Sequence, residues 1–254
     1  MNHASKCCLA ELIATFGLTF IGAGSIVITA LGEGSGLLGV AIAHGLVLSV
    51  LVSATMNISG AHINPAVTIT MLATDRIKVP LAVGYIISQL VGAAIAGFLL
   101  VTIFNSLGDK GAAAIAACKL GTPFLSEGLG VSPGMGVVIE IGLTFMLVFV
   151  IFGTAVDHRA PKVGGFGIGL VVAADIMLGG PLTGAAMNPA RVFGVLVAGG
   201  TATSGLWEQH WVYWVGPIAG ALLAGFIYDK FLLDKSPIGG EERIGDAAHR
   251  GTSS

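Results

Sequence analysis

The sequence predicts an all-α integral membrane protein: six transmembrane helices plus two re-entrant half-helices, arranged as an inverted 3+3 repeat. Three observations carry this expectation. Of 254 residues, 54% are hydrophobic and 10% charged, where a soluble domain carries about 25% charged residues. Six apolar segments are long enough to cross a hydrocarbon layer of about 30 Å. The tripeptide Asn-Pro-Ala occurs twice, as Asn64-Pro65-Ala66 and Asn188-Pro189-Ala190, each after a Gly-containing turn and each opening a short apolar segment.

The first span, 8–31, follows a short polar start, Met1 to Lys6. It is too long for a signal-peptide core and reads as a retained membrane helix. The second span is 37–57. Then comes 64–73, about ten residues, which at about 1.5 Å per residue reaches about 15 Å, half the hydrocarbon thickness. The third span, 80–104, leads into a long loop, 105–133. The fourth is 134–156. The fifth, 164–179, is short if it stops at Gly179-Gly180-Pro181, so its start is expected somewhat earlier. The second short segment is 188–197, and the sixth span is 210–231. Asn is a good helix N-cap and Pro is tolerated at the first helical position, so both Asn-Pro-Ala copies read as helix starts. The tail from Lys235 is polar and Gly-rich, and is expected to be disordered.

The two halves repeat. Glu11-x-x-x-Thr15-Phe16-x-x-x-Phe20 matches Glu140-x-x-x-Thr144-Phe145-x-x-x-Phe149, and Gly92-Ala93-x-x-Ala96-Gly97-Phe98 matches Gly220-Ala221-x-x-Ala224-Gly225-Phe226. Three spans per repeat force the second copy to insert upside down, with a site expected at the midplane between the halves. The small residues let helix backbones approach closely and speak for packing. In this topology Lys6, Arg76, Lys78, Arg159, Lys162, Lys230, Lys235, Arg243 and Arg250 fall on one side, and Lys110 and Lys119 on the other. The positive-inside rule then places both termini in the cytoplasm, in a multi-pass protein expected in the cell membrane.

Non-helical backbone at membrane depth is tolerated only beside protein or a water-filled cavity. Segments 57–63 and 180–187 carry such backbone, which implies a pore with carbonyls along one wall. Each short helix turns its N-terminus, worth about +0.5 elementary charge, toward the pore centre, and the two together oppose cations. Asn64 and Asn188 can donate amide N–H groups to a passing neutral molecule. No nucleophile–base set and no Cys-x-x-Cys metal motif occurs among the residues, so neither an enzyme nor a metal or cofactor site is expected. The nearly neutral net charge, -2, argues against nucleic acid as a partner. Cys7, Cys8 and Cys118 read as free thiols, with juxtamembrane acylation of Cys7 or Cys8 as the other reading.

The runs Ser59-Gly60-Ala61-His62-Ile63-Asn64-Pro65-Ala66-Val67-Thr68, Met187-Asn188-Pro189-Ala190-Arg191 and His210-Trp211-Val212-Tyr213-Trp214-Val215-Gly216-Pro217 resemble the aquaporin, or major intrinsic protein, family. The resemblance covers the chain from about Leu9 to Leu233. It implies a cytoplasmic N-terminus over 1–7 and a channel domain over 8–233, with repeat halves of about 8–104 and 134–231 linked by loop 105–133. A cytoplasmic tail, 234–254, follows. It implies a homotetramer in membrane lipid with one water pore per subunit, lined by the motifs Asn64, Pro65, Ala66, Asn188, Pro189 and Ala190. By the family's spacing the selectivity filter falls on His44, Ile176, Ala185 and Arg191. That set is similar to the plant tonoplast intrinsic proteins, relatives that pass water and, in several cases, ammonia, urea or glycerol.

Arg191 supplies donors and a fixed charge that repels cations. Ile176 and Ala185 give a wider filter than two aromatics would. The resemblance gives Glu11 and Glu140 a structural role, accepting hydrogen bonds from the re-entrant loops, and places His62 on a vestibule. Two departures from the family stand out. Asp175 occupies a position usually small or amide; it either pairs with a nearby donor or is protonated. The His that tonoplast ammonia channels carry in the long loop is not evident, and Pro123 or Phe124 stands near its place. A coupled secondary transporter is the alternative class, since inverted repeats and broken helices occur there too; it would place ion-binding or titratable residues at the midplane.

Overall fold

The computed structural model describes residues 1–160 and 163–234. Lys162, Lys235, Arg243, Arg250 and the tail expected from 234 onward, Asp234 aside, lie outside the described residues. The elements are helical throughout the described residues: α1 (His3–Ala30), α2 (Gly36–Ser59), α3 (Pro65–Ala73), α4 (Val79–Asn105), α5 (Asp109–Cys118), α6 (Pro133–Ile151), α7 (Phe166–Thr183), α8 (Pro189–Ala198) and α9 (Val212–Ile227). Single π-helical turns, Phe152–Val156 and Tyr228–Leu232, extend α6 and α9. Six helical stretches are long and apolar enough to cross a membrane. α3 and α8 are the short half-helices.

Caps decide several boundaries. The Asn2 side chain accepts from the Ser5 N–H at 2.9 Å, so α1 begins five residues before the expected 8. Asn64 Oδ1 accepts from Ala66 N at 2.9 Å, and Asn188 Oδ1 from Ala190 N at 3.0 Å and Arg191 N at 3.3 Å. With Pro65 and Pro189 in the first turn, both Asn-Pro-Ala copies open helices as their chemistry dictates.

Three expectations need correction. α7 starts later than expected, at Phe166, and runs through Gly179-Gly180-Pro181 to Thr183. Pro181 lies in the last turn, so its missing N–H forfeits one bond only, and Gly184 in the left-handed region (φ 81°) is the actual stop. The non-helical stretches are correspondingly shorter than 57–63 and 180–187, beginning at Gly60 and Gly184. The loop 105–133 contains the helix α5, an alanine-rich segment with Asp109 in its first turn.

The inverted repeat is explicit in the packing. Within each half the first and third spans pair: α1 with α4, α6 with α9. A Cβ on Gly92 would strike the Leu12 carbonyl, and one on Gly220 the Ile141 carbonyl, so matched glycines set matched close approaches. The half-helices cross over: α3 packs on α9 and α8 on α4. The second and fifth spans, α2 and α7, meet at Gly45 and Gly169, each against the other's carbonyl.

The chain ends of the bundle gather charge. Arg76 pairs with Asp229 at 2.8 Å, and Arg159 donates to Asp157 and to the Leu232 carbonyl at 2.9 Å. The Arg159 guanidinium holds the Asp157 carboxyl well below the usual carboxylate range. Arg76, Arg159 and Lys230 therefore share one end, as the charge pattern predicts, while Lys119 stacks over Phe124 at the other.

Candidate functional site

The two re-entrant loops are built on strained backbone. Ala61 (φ 52°), Ile63 (φ 56°), Ala185 (φ 45°) and Met187 (φ 52°) occupy the left-handed region, beside Gly60 and Gly184. A β-branched residue such as Ile63 adopts it only under strong constraint. The constraint is one buried carboxylate per loop. Glu11 accepts from Ser59 Oγ at 2.6 Å, His62 N at 2.9 Å and Ile63 N at 2.6 Å. Glu140 accepts from Thr183 Oγ1 at 2.7 Å, Ala186 N at 2.9 Å and Met187 N at 2.8 Å. Tyr85 and Tyr213 complete the pairs, their hydroxyls donating to the carbonyls of Ser59 (2.7 Å) and Thr183 (2.8 Å).

With their N–H groups turned back to the carboxylates, the loops present carbonyls the other way. Gly60, Ala61, His62, Ala185 and Ala186 line a cavity of about 290 Å³, and none of their carbonyls accepts a hydrogen bond among the described residues. Much of the remaining lining is apolar, with Leu18, Leu48, Val52, Leu147, Ile168 and Val172. Asn64 and Asn188 face the cavity where the half-helices meet. Each Nδ2 donates to the other loop, Asn64 to Met187 O at 2.7 Å and Asn188 to Ile63 O at 2.9 Å. Each amide nitrogen carries a second hydrogen.

The same cavity reaches His44, Ile176, Ala185 and Arg191. Arg191 is almost fully buried; Nη1 donates to the Gly121 carbonyl at 2.6 Å and Nη2 faces His44 Nε2 at 3.4 Å. His44 Nδ1 donates to the Val40 carbonyl at 2.9 Å, which leaves Nε2 as the acceptor in the neutral ring. The carbonyl of Gly121 is delivered by three consecutive left-handed residues, Lys119, Leu120 and Gly121.

The site residues expected from the sequence thus fall into two groups. His44, His62, Asn64, Ile176, Ala185, Asn188 and Arg191 share one cavity. Pro65, Ala66, Pro189 and Ala190 are buried but do not line it, and Glu11 and Glu140 stand behind the loops. Asp175 is buried without lining the cavity, and its Oδ2 has no donor among the described residues, so the pairing reading finds no partner. Sequence reasoning missed Gly121, Gly22, Gln89, Ser59, Thr183 and Tyr85. Aligning the repeats exposes the Ser59/Thr183 and Tyr85/Tyr213 matches; nothing in the sequence marks Gly121 or Gly22.

The family model described as "Major intrinsic protein" matches residues 1–228. The chain belongs to the major intrinsic protein family. It is similar to other family members along nearly its whole length. "Aquaporin TIP4-4" of Zea mays is 44% identical over 246 residues, covering 93% of this chain and 89% of that one. "Probable aquaporin TIP3-2" of Arabidopsis thaliana is 41% identical, covering 89% and 83%. "Aquaporin TIP4-1" of Arabidopsis thaliana is 41% identical, covering 94% and 91%. The structure titled "X-ray structure of the aquaglyceroporin from Plasmodium falciparum" superposes with a TM-score of 0.75 at 23% identity, covering 90% and 96%, and supports the fold. As a major intrinsic protein, the chain is a passive membrane channel for water and small solutes. The relatives also correct the expected location. They are plant tonoplast intrinsic proteins, of the vacuolar membrane, so the cell membrane does not stand.

Proposed function

We propose that this chain forms a homotetrameric channel of a vacuolar-type membrane and catalyses no reaction. Each subunit passes water and small neutral solutes of the size of glycerol and urea through its own pore, and excludes protons and ions. His44, Ile176, Ala185 and Arg191 form the filter. Asn64 and Asn188, with the motifs they open, form the central station, and His62 lies on the vestibule beyond it. Residues 8–233 make up the channel domain.

One observation carries this reading: a single cavity joins all four filter residues to both asparagines. Its lining combines donors at Arg191, Asn64 and Asn188 and unpaired loop carbonyls with apolar side chains. Water and polyols can exchange hydrogen bonds with the polar groups. The buried Arg191 charge and the two facing helix N-termini repel cations. The midplane pair is two amides, where a coupled transporter would need titratable groups.

The test is stopped-flow light scattering of proteoliposomes with verified insertion, under water, glycerol and urea gradients. Water permeability well above that of empty vesicles, with glycerol or urea flux above background and no proton leak, is the expected result. Permeability equal to that of empty vesicles would sink the proposal.

A further inference from the structure

The two halves of the pore differ at one point that the repeat does not explain. When Asn64 is aligned with Asn188 and Tyr85 with Tyr213, the positions of His62, Thr68 and Gln89 correspond to Ala186, Val192 and Pro217. The first half therefore holds three polar side chains where the second holds two apolar ones and a proline.

Those three form one chain of hydrogen bonds. Gln89, fully buried on α4, donates one amide N–H to Glu11 Oε2 at 2.8 Å and directs the other to Thr68 Oγ1 at 3.0 Å. The Thr68 hydroxyl, also fully buried, donates to the Asn64 carbonyl at 3.1 Å. His62 Nδ1 lies 3.1 Å from the same oxygen. A hydroxyl has one proton and two lone pairs. With its proton on the Asn64 carbonyl and one lone pair taken by Gln89, the remaining lone pair is open to a donor, and the ring nitrogen fills that role. His62 is further braced by Tyr85, whose ring meets it edge-on at 5.0 Å. Its Nε2 has no partner among the described residues, and the residue lines the cavity beside Gly60.

We infer that Gln89, acting through Thr68, holds His62 in the Nδ1–H tautomer, so that Nε2 offers a lone pair to the pore as an acceptor station for solutes rich in N–H donors, urea being the probe. The inference rests on the channel reading for its solute part; the tautomer part stands without it. Gln89 and Thr68 are positioning residues and touch no solute. The imidazole lone pair adds a basic acceptor to the loop carbonyls on the same side of the asparagine pair. In the other half of the pore Ala186 stands in the matching place, and the imidazole acceptor there, His44 Nε2, already faces the Arg191 guanidinium at 3.4 Å.

Two measurements on the full chain in lipid test it. The first is the ¹⁵N spectrum of histidine-labelled protein, with His62 assigned by difference from His62→Ala. The expected result is a protonated Nδ1 and an unprotonated Nε2 for His62. In Thr68→Val, which keeps the shape and removes the oxygen, and in Gln89→Leu, the His62 signals shift to a mixture of tautomers. A wild-type His62 protonated at Nε2 overturns the proposal, and this readout needs only the His62→Ala reference, not the Thr68 or Gln89 variants, to fold. The second is the ratio of urea to water permeability. It should fall about fivefold in Thr68→Val, the equivalent of one hydrogen bond of about 1 kcal/mol. An unchanged ratio, or a wild-type channel that passes water but no urea, overturns the acceptor role while leaving the channel standing. Absent water flux would instead defeat the channel reading, with the tautomer still decided by the spectrum.

Discussion

His44 is held by contacts on three sides: the Val40 carbonyl, the Arg191 guanidinium and the bare backbone of Gly22. A Cβ at position 22 would fall 2.6 Å from His44 Cδ2 and 2.9 Å from Cε1, inside the ring's own envelope. Gly22→Ala should therefore push the imidazole toward Arg191 and narrow the filter. We expect glycerol flux in proteoliposomes to drop about tenfold, equivalent to about 1.4 kcal/mol on the barrier. His44→Ala should act in the opposite sense. It removes the ring that faces Arg191 at 3.4 Å and leaves Ile176 and Ala185 unchanged. Glycerol flux should rise roughly fivefold, about 1 kcal/mol; unchanged solute selectivity would remove His44 from the filter. Neither the contact of Gly22 with His44 nor that of Gly121 with Arg191 was legible in the chain. Both join residues far apart in sequence, and a glycine that matters for the space it leaves carries no pattern. The four proposed filter positions follow from family spacing, which encodes tertiary contacts that periodicity does not.

At the scale of elements, the re-entrant loops depend on Glu11 and Glu140 to an unequal degree. Glu11 has Gln89 as a fourth donor, and among the described residues Glu140 has only the Thr183 hydroxyl and two backbone N–H groups. Glu140→Gln would set an amide donor against one of those N–H donors in a buried site. It should cost about 2 kcal/mol, lowering the melting temperature by roughly 4–8 °C, measured by fluorescence in detergent. Water permeability should fall with it, because Met187 and Ala185 would lose the constraint on their left-handed backbone. The repeat itself was readable, since Glu-x-x-x-Thr-Phe recurs and the half-spans are too short to cross. The end of α7 was not: Gly179-Gly180-Pro181 has the composition of a stop, yet a proline in the last turn breaks only one bond. α5 carried an available signal, an alanine run after Asp109, inside a segment whose overall length read as loop.

For the whole molecule, the outward faces of the spans are continuous apolar surface. Leu38, Ile42, Leu46 and Val50 on α2 and Leu170, Met177 and Leu178 on α7 are exposed. A membrane covers such a surface, and so does a neighbouring copy. If four copies associate, native mass spectrometry from detergent should give four times the 25.6 kDa chain mass; a stable monomer that still conducts would remove the tetramer from the proposal. The spanning architecture followed from composition and segment length, and the bundle's charged end from the Lys and Arg pattern. The kind of membrane did not, because hydrocarbon thickness differs among cellular membranes by only a few ångströms.

The crossed amide bonds, Asn64 to Met187 and Asn188 to Ile63, have a consequence for biogenesis. The first half of the chain can insert its three spans as they emerge, but its loop lacks its donor and its acceptor until residues near 188 have been synthesised. Both loops are thus closed late and together, by one event. The nascent first half must wait in the membrane with a polar loop unfinished, so the pore comes into being only when the last third of the chain has left the ribosome.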